Sequence, residues 1–308
     1  MIVNVLYEAG LGDILMSMYS LTNYSALLAG YHDQHPDVQY RAVICTVTDS
    51  VESLFRGNPV FKAGYSYHTW LDDRTALIKE QSLGHPYIQD LYNADPHREL
   101  WPRHRLPFYL DEDEATIVAR FLPLSTVAIH FFAGDGERTW INQIGGDGAS
   151  TVIRAALDAG YEVLLLGGSS NRTVNNDSRH IVEHLVELTR DPRVHNYIGR
   201  HTPRLHSALA ISASMVIGPI SCYTSLGAVL NRPVFVMAPK WQAPKYAAPD
   251  QGIFSLIGTK VIEGTAGVHY FSDDPLPIDS LREFLDRLKL QSRDDSESPV
   301  TRIIKRRL

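Results

Sequence analysis

The chain has 308 residues, enough for two domains of about 150 each. Its hydrophobic content of 44% is ordinary for a folded protein, and a formal net charge of -6 argues against a globally basic nucleic-acid binder. Cys45 and Cys222, the two cysteines, lack metal-ligand spacing, no run of about 18 apolar residues occurs, and no basic stretch leads into an apolar core at the start; the expectation is a cytoplasmic protein without disulfide framework, leader or transmembrane segment.

The first predicted element is an apolar strand over 2–6. It runs into Gly10-Leu11-Gly12-Asp13, which opens a helix with Ile14, Met18 and Leu21 at helical spacing. The glycines permit a tight turn. Asp13 then falls in the first helical turn, where backbone N–H groups and the helix dipole favour a carboxylate. Three readings compete for this stretch. A dinucleotide fingerprint needs a third glycine where Leu15 stands, so a nicotinamide-dependent oxidoreductase is a remote alternative. A plain helix cap is the second. The third is a catalytic carboxylate at a strand's carboxyl edge, where open α/β sheets bind ligands.

A strand over 40–46, a short helix over 49–55, a turn at Asn58-Pro59, a strand over 62–67 and a helix over 70–81 follow. Residues 84–107, rich in Pro, His and aromatics, read as irregular structure. His32 and His35 flank Pro36 in a polar loop without a third ligand type and read as solvated. Acids at 111–113 resemble a metal motif but are better explained as the start of a helix over 111–121. Leu122-Pro123 breaks the chain. The expected domains are 1–122 and 123–290, with a charged tail over 291–308.

The second half alternates strand and helix: strands over 127–132, 161–166, 194–198, 215–217 and 234–237, helices over 150–159, 181–188, 203–212, 221–230 and 281–290. Such alternation implies a parallel sheet covered on both faces. Gly134 and Arg138 belong to a polar, glycine-rich loop after the first of these strands. Arg138 could pair with Glu137 at the surface or grip phosphate oxygens in a bidentate way. His130 ends its strand and reads either as a core histidine or as a donor-site group. Ser221 reads as an N-cap, and Thr202 before Pro203 as a cap with proline at the first helical position. No metal cluster is apparent. The basic tail ending Lys305-Arg306-Arg307-Leu308 reads as a solvated end that could make weak peripheral contact with anionic lipid or nucleic acid.

Six places in this order are similar to one known family: Gly10-Leu11-Gly12-Asp13; Asn58-Pro59; Ala128-Ile129-His130 through Gly134 to Arg138-Thr139-Trp140; the run 163–168 ending Gly167-Gly168; Ile198-Gly199 to Thr202 with Leu205, Ala208 and Leu209; and Ile217-Gly218 through Leu226-Gly227-Ala228 to Asn231-Arg232-Pro233. Together they cover most of residues 1–240. The chain resembles the bacterial heptosyltransferases, family 9 of the glycosyltransferases. That resemblance implies an α/β, GT-B fold, two Rossmann-like parallel-sheet domains facing across a cleft, and a metal-independent inverting transfer of a sugar from a nucleotide-diphosphate sugar, with no other cofactor. It implies Asp13 as general base toward an acceptor hydroxyl, Arg138 on the diphosphate, and a donor site drawn from Gly12, His130, Gly134, Gly199, Thr202, Ser221, Cys222, Tyr223 and Thr224. The family's Asp-Ser/Thr-Gly triplet, with His following two residues on, is altered here. Ile220 stands for the Asp, Cys222 for the Gly and Ser225 for the His, while Ser221 keeps the hydroxyl. Arg138 stands where Lys is more frequent. The acceptor implied is a surface glycan. Two alternatives are a phage-type enzyme acting on modified DNA bases and a non-catalytic GT-B protein that binds nucleotide or glycan.

Overall fold

The computed structural model describes residues 2–8, 11, 15, 39–46, 49–57, 65–69, 108–122, 124–131, 140–167, 185–200, 202–219, 221–229, 232–239, 267–272 and 276–291. The chain divides into two compact units. One comprises residues 1–111 with 202–204, the other 112–201 with 205–308.

In the first unit, β1 (Ile2–Glu8), β2 (Gln39–Thr46) and β3 (Tyr65–Thr69) form a parallel sheet in the order β1-β2-β3. Leu11 and Leu15, past the end of β1, are helical, and Leu15 is fully buried. A 3-10 helix, Asp49–Leu54, follows β2. Within this unit the buried Arg204 pairs with Asp111 at 2.7 Å and donates to the Arg56 carbonyl at 3.5 Å.

The second unit is built on a six-stranded parallel sheet. Its elements in chain order are α1 (Glu112–Ala119), β4 (Thr126–His130), α2 (Trp140–Asp158, broken at Gly145), β5 (Glu162–Leu166), β6 (Val194–Asn196), α3 (Pro203–Ser212, whose first two residues group with the first unit), β7 (Met215–Gly218), α4 (Cys222–Val229), β8 (Val234–Pro239), β9 (Gly267–Ser272) and α5 (Ile278–Gln291). The strand order is β6-β5-β4-β7-β8-β9. Both faces are covered, so the strands read as continuous apolar runs. Val127, Ile129, Val163, Leu165, Met215, Ile217, Phe235 and Met237 form one face, against Val152, Ile153 and Ala156 of α2 and Leu281, Phe284 and Leu285 of α5. Alternate residues turn to the other face, where α4 packs on β7 and β8.

The last turn of α3 is closed from outside. Arg232 is buried, donates from Nε to the Ile211 carbonyl at 2.9 Å, and burial lowers its pKa to about 10, so it stays charged at neutral pH. A cation there meets the negative end of the helix dipole. Arg232→Met is therefore expected to cost about 2 kcal/mol in a denaturant melt by leaving that carbonyl unpaired. An unchanged midpoint would contradict this role. Among the described residues no helix is long and apolar enough to cross a membrane.

Candidate functional site

The order of the second sheet decides where a ligand would sit. The chain begins in the middle at β4, builds outward to β5 and β6, then returns beside β4 to start β7 and builds the other way. The two halves therefore leave a crevice at the carboxyl ends of β4 and β7, the switch point at which doubly wound sheets bind ligands. His130 is the last residue of β4 and Gly218 the last of β7. A Cβ built on Gly218 would run into the His130 carbonyl oxygen. Only glycine lets the two strand ends approach this closely.

His130 is 5% exposed and its Nδ1 has no hydrogen-bond partner among the described residues. Its ring stands edge-on to Tyr223, centroids 4.7 Å apart at 85°. Burial, with the charge of His206 second, lowers its pKa from 6.5 to about 3. The imidazole is neutral at working pH. A buried nitrogen without a partner costs about 1–3 kcal/mol, so an Nδ1 with none among the described residues is a candidate ligand contact.

α4 starts beside it. Ser221 is its N-cap. The Ser221 N–H donates to Thr224 Oγ1 at 2.9 Å, and the Thr224 N–H points back at Ser221 Oγ at 3.4 Å. This is a reciprocal cap in which Thr takes the place of the usual acidic or amide residue. The Ser225 N–H closes the first helical bond on the Ser221 carbonyl at 3.0 Å. Thr224 is fully buried and Tyr223 nearly so, while Ser221 and Cys222 are half-buried. Burial, then Cys222, raises the Tyr223 pKa well above its ordinary value and keeps the phenol neutral.

A second wall comes from the turn after β6. The Tyr197 N–H donates to the Leu165 carbonyl at 2.9 Å, and the Gly199 N–H donates to the Gly167 carbonyl at 2.8 Å. These bonds pin the turn to the end of β5. Gly199 has φ 67°, which costs glycine nothing. From α3, His206 Nε2 lies 2.6 Å from the Arg200 carbonyl oxygen. A carbonyl only accepts, so Nε2 carries a proton, and Nδ1 lies 3.5 Å from the Tyr223 hydroxyl.

Of the residues singled out in the sequence, His130, Ser221, Cys222, Tyr223 and Thr224 meet at the β4–β7 edge, and Gly199 connects to them through Arg200 and His206. Thr202 stands directly before Pro203, the first residue of α3, and groups with the first unit. Asp13, Gly12, Gly134 and Arg138 lie outside the described residues. Two members of the site were not singled out as donor-site residues in the sequence. Gly218 carried a signal, as a glycine ending an apolar strand. His206 carried none, because its partner is a backbone carbonyl. Among the described residues no three His, Cys, Asp or Glu side chains converge as metal ligands.

No protein-family model matches the chain, and no curated protein does. Solved structures do. ADP-heptose lipopolysaccharide heptosyltransferase II of E. coli superposes over 95% of this chain and 100% of its own, with TM-score 0.58 and 14% identity. A family 9 glycosyltransferase of Veillonella parvula covers 94% of this chain and 97% of its own, with TM-score 0.59 and 9% identity. The fold is that of the GT-B glycosyltransferases. E. coli heptosyltransferase WaaC with ADP covers 94% of this chain and 100% of its own, with TM-score 0.51 and 13% identity. Likeness at this level of identity is likeness of fold, and the chemistry has to come from the site.

The neutral state of His130 has a consequence for stability. Its folded pKa lies below the unfolded value, so the unfolded chain gains the proton first. Stability is then complete above pH 6.5 and lost as pH falls toward about 3. By pH 5 the loss from this one group is about 2 kcal/mol. Urea midpoints should fall between pH 7 and pH 5 in the wild type, and less steeply in His130→Phe. Parallel pH profiles for the two proteins would contradict the assignment.

Proposed function

We propose that this chain is a glycosyltransferase that moves a sugar from a nucleotide-diphosphate sugar to an acceptor hydroxyl. The observation that carries the reading is the reversal of strand order between β4 and β7. There a neutral buried imidazole, a close-approach glycine and a capped helix start converge at the switch point of a doubly wound sheet. The fold shared with the two heptosyltransferases, one of them solved with ADP, supports the same reading. A diphosphate suits the site because the start of α4 presents the positive end of a helix dipole.

In this mechanism Asp13 accepts the proton of the acceptor hydroxyl. The oxygen attacks the anomeric carbon from the side opposite the diphosphate, the bond to the diphosphate oxygen breaks, and the anomeric configuration inverts. Arg138, with the start of α4, meets the charge that develops on the departing diphosphate, so the step needs no metal. Donor contacts come from His130, Gly134, Gly199, Thr202 and 221–224, with Gly12 beside the base. The acceptor in this proposal is a glycan hydroxyl; a hydroxyl on a modified DNA base is the alternative that the same chemistry serves. The protein works in the cytoplasm, with 291–308 as an accessory tail.

One observation favours a second reading, a binding protein without turnover. Ile220 and Cys222 replace two members of the family triplet, and the remaining hydroxyl, Ser221, is turned into the cap. Incubation with a panel of nucleotide-diphosphate sugars and glycan acceptors, read by mass spectrometry, separates the two. Consumption of one donor with release of its nucleoside diphosphate and a glycosylated product is expected. Binding without turnover of any donor would favour the second reading.

A further inference from the structure

We infer that His206 is a positioning residue that sets the geometry of the nucleotide site by tying the turn after β6 to the first turn of α4. The inference rests on the nucleotide reading above for its consequence, but its geometry stands alone. His206 lies on α3, at 4% exposure, with both ring nitrogens engaged on different elements. Nε2 holds the Arg200 carbonyl, next to the left-handed Gly199. Nδ1 meets the hydroxyl of Tyr223, whose ring in turn stands edge-on to His130. One side chain therefore spans from the wall formed by residues 197–200 to the helix start and the imidazole at the switch point.

The two bonds are unequal. The 2.6 Å contact to Arg200 is short and directional, and the 3.5 Å contact to Tyr223 is at the limit of a hydrogen bond. The Arg200 contact should dominate. Gly199 and Arg200 are exposed; the turn around them is also held by the Gly199–Gly167 and Tyr197–Leu165 backbone bonds, by the Ile198 N–H on Asn196 Oδ1 at 3.0 Å and by the buried Ile198 side chain, while His206 takes the Arg200 carbonyl. Buried polar links of this kind select one arrangement of the elements they join, and a half-satisfied link is worse than none. His206 touches no reacting atom in this scheme. Its effect is on the shape that the donor meets.

Three substitutions divide the bonds. In His206→Gln the amide nitrogen occupies the place of Nε2 and can still donate to Arg200. His206→Asn offers an acceptor near Tyr223 but is too short to reach Arg200. Tyr223→Phe removes the weaker bond and keeps the ring against His130. Amide hydrogen exchange of residues 197–200 in the ligand-free proteins should speed up about tenfold in His206→Asn, the worth of one buried hydrogen bond. Exchange should stay near wild type in His206→Gln and Tyr223→Phe. Affinity for ADP and UDP, by calorimetry on the full chain, should fall about tenfold in His206→Asn and stay near wild type in His206→Gln. The donor KM should rise about tenfold in His206→Asn with kcat changed by less than about threefold.

Equal exchange at 197–200 in wild type and His206→Asn overturns the inference. So does loss of all variants to unfolding alike, with no rescue by Gln. If the wild type binds neither nucleotide, the functional reading fails separately, and the exchange data still decide whether His206 holds the turn.

Discussion

Gly218→Ala should abolish nucleoside diphosphate binding and lower the unfolding free energy by about 3 kcal/mol. The added methyl would meet the His130 carbonyl oxygen, a backbone atom at the end of β4, where His130 pairs with Leu166 of β5. It cannot rotate away, so one of the two central strands must shift. Because His130 and Gly218 close the same crevice, that shift moves the imidazole and the start of α4 together. Gly227→Ala is the control. Its Cβ would lie 3.1 Å from Val216 Cγ2 and Val234 Cγ2, methyl groups that can give way. It should cost about 1 kcal/mol and leave binding in place. Denaturant melts and calorimetric titrations of both variants check the pair. Equal effects at the two positions would contradict the assignment of Gly218 to the site.

Asp13→Asn should lower transfer by about a hundredfold to ten-thousandfold while leaving donor affinity and stability unchanged. The choice of Asn separates the two roles open to Asp13. As a helix cap, Asn is as good as Asp, so a purely structural Asp13 predicts no change at all. As a general base, the carboxylate is irreplaceable, because a neutral amide cannot accept the proton of the acceptor hydroxyl. Single-turnover rates with donor saturating measure the chemical step directly. Near-wild-type turnover in the folded variant removes Asp13 from the mechanism.

The strands of the second sheet were legible because both of its faces are covered. Residues 127–131, 161–166, 215–217 and 234–237 are apolar almost without interruption, which a buried parallel strand requires. β9 was missed. Its sequence, Gly-Val-His-Tyr-Phe-Ser, mixes polar and aromatic residues, and it lies at the edge of the sheet. The start of α2 was missed for a different reason. The sequence predicts this helix only from 150, because glycines at 145, 146 and 148 are poor helix formers, yet the helical span reaches back to Trp140 and breaks only at Gly145. Of the site, the strand-end His130 and the cap Ser221 could be read from their places in the alternation. The link from His206 to Arg200 could not, since one partner is a carbonyl that any residue supplies. The Arg204–Asp111 pair joins residues 93 apart and leaves no local pattern.

Titration of the full chain with ADP, UDP and GDP by calorimetry addresses the β4–β7 crevice most directly, with His130→Phe and Gly218→Ala run alongside. The expected result is stoichiometric binding of one nucleoside diphosphate by the wild type, weakened in His130→Phe and absent in Gly218→Ala while the latter is still folded at low temperature. Failure of all three nucleotides to bind, or binding that neither substitution disturbs, would contradict a nucleotide site at the ends of these two strands.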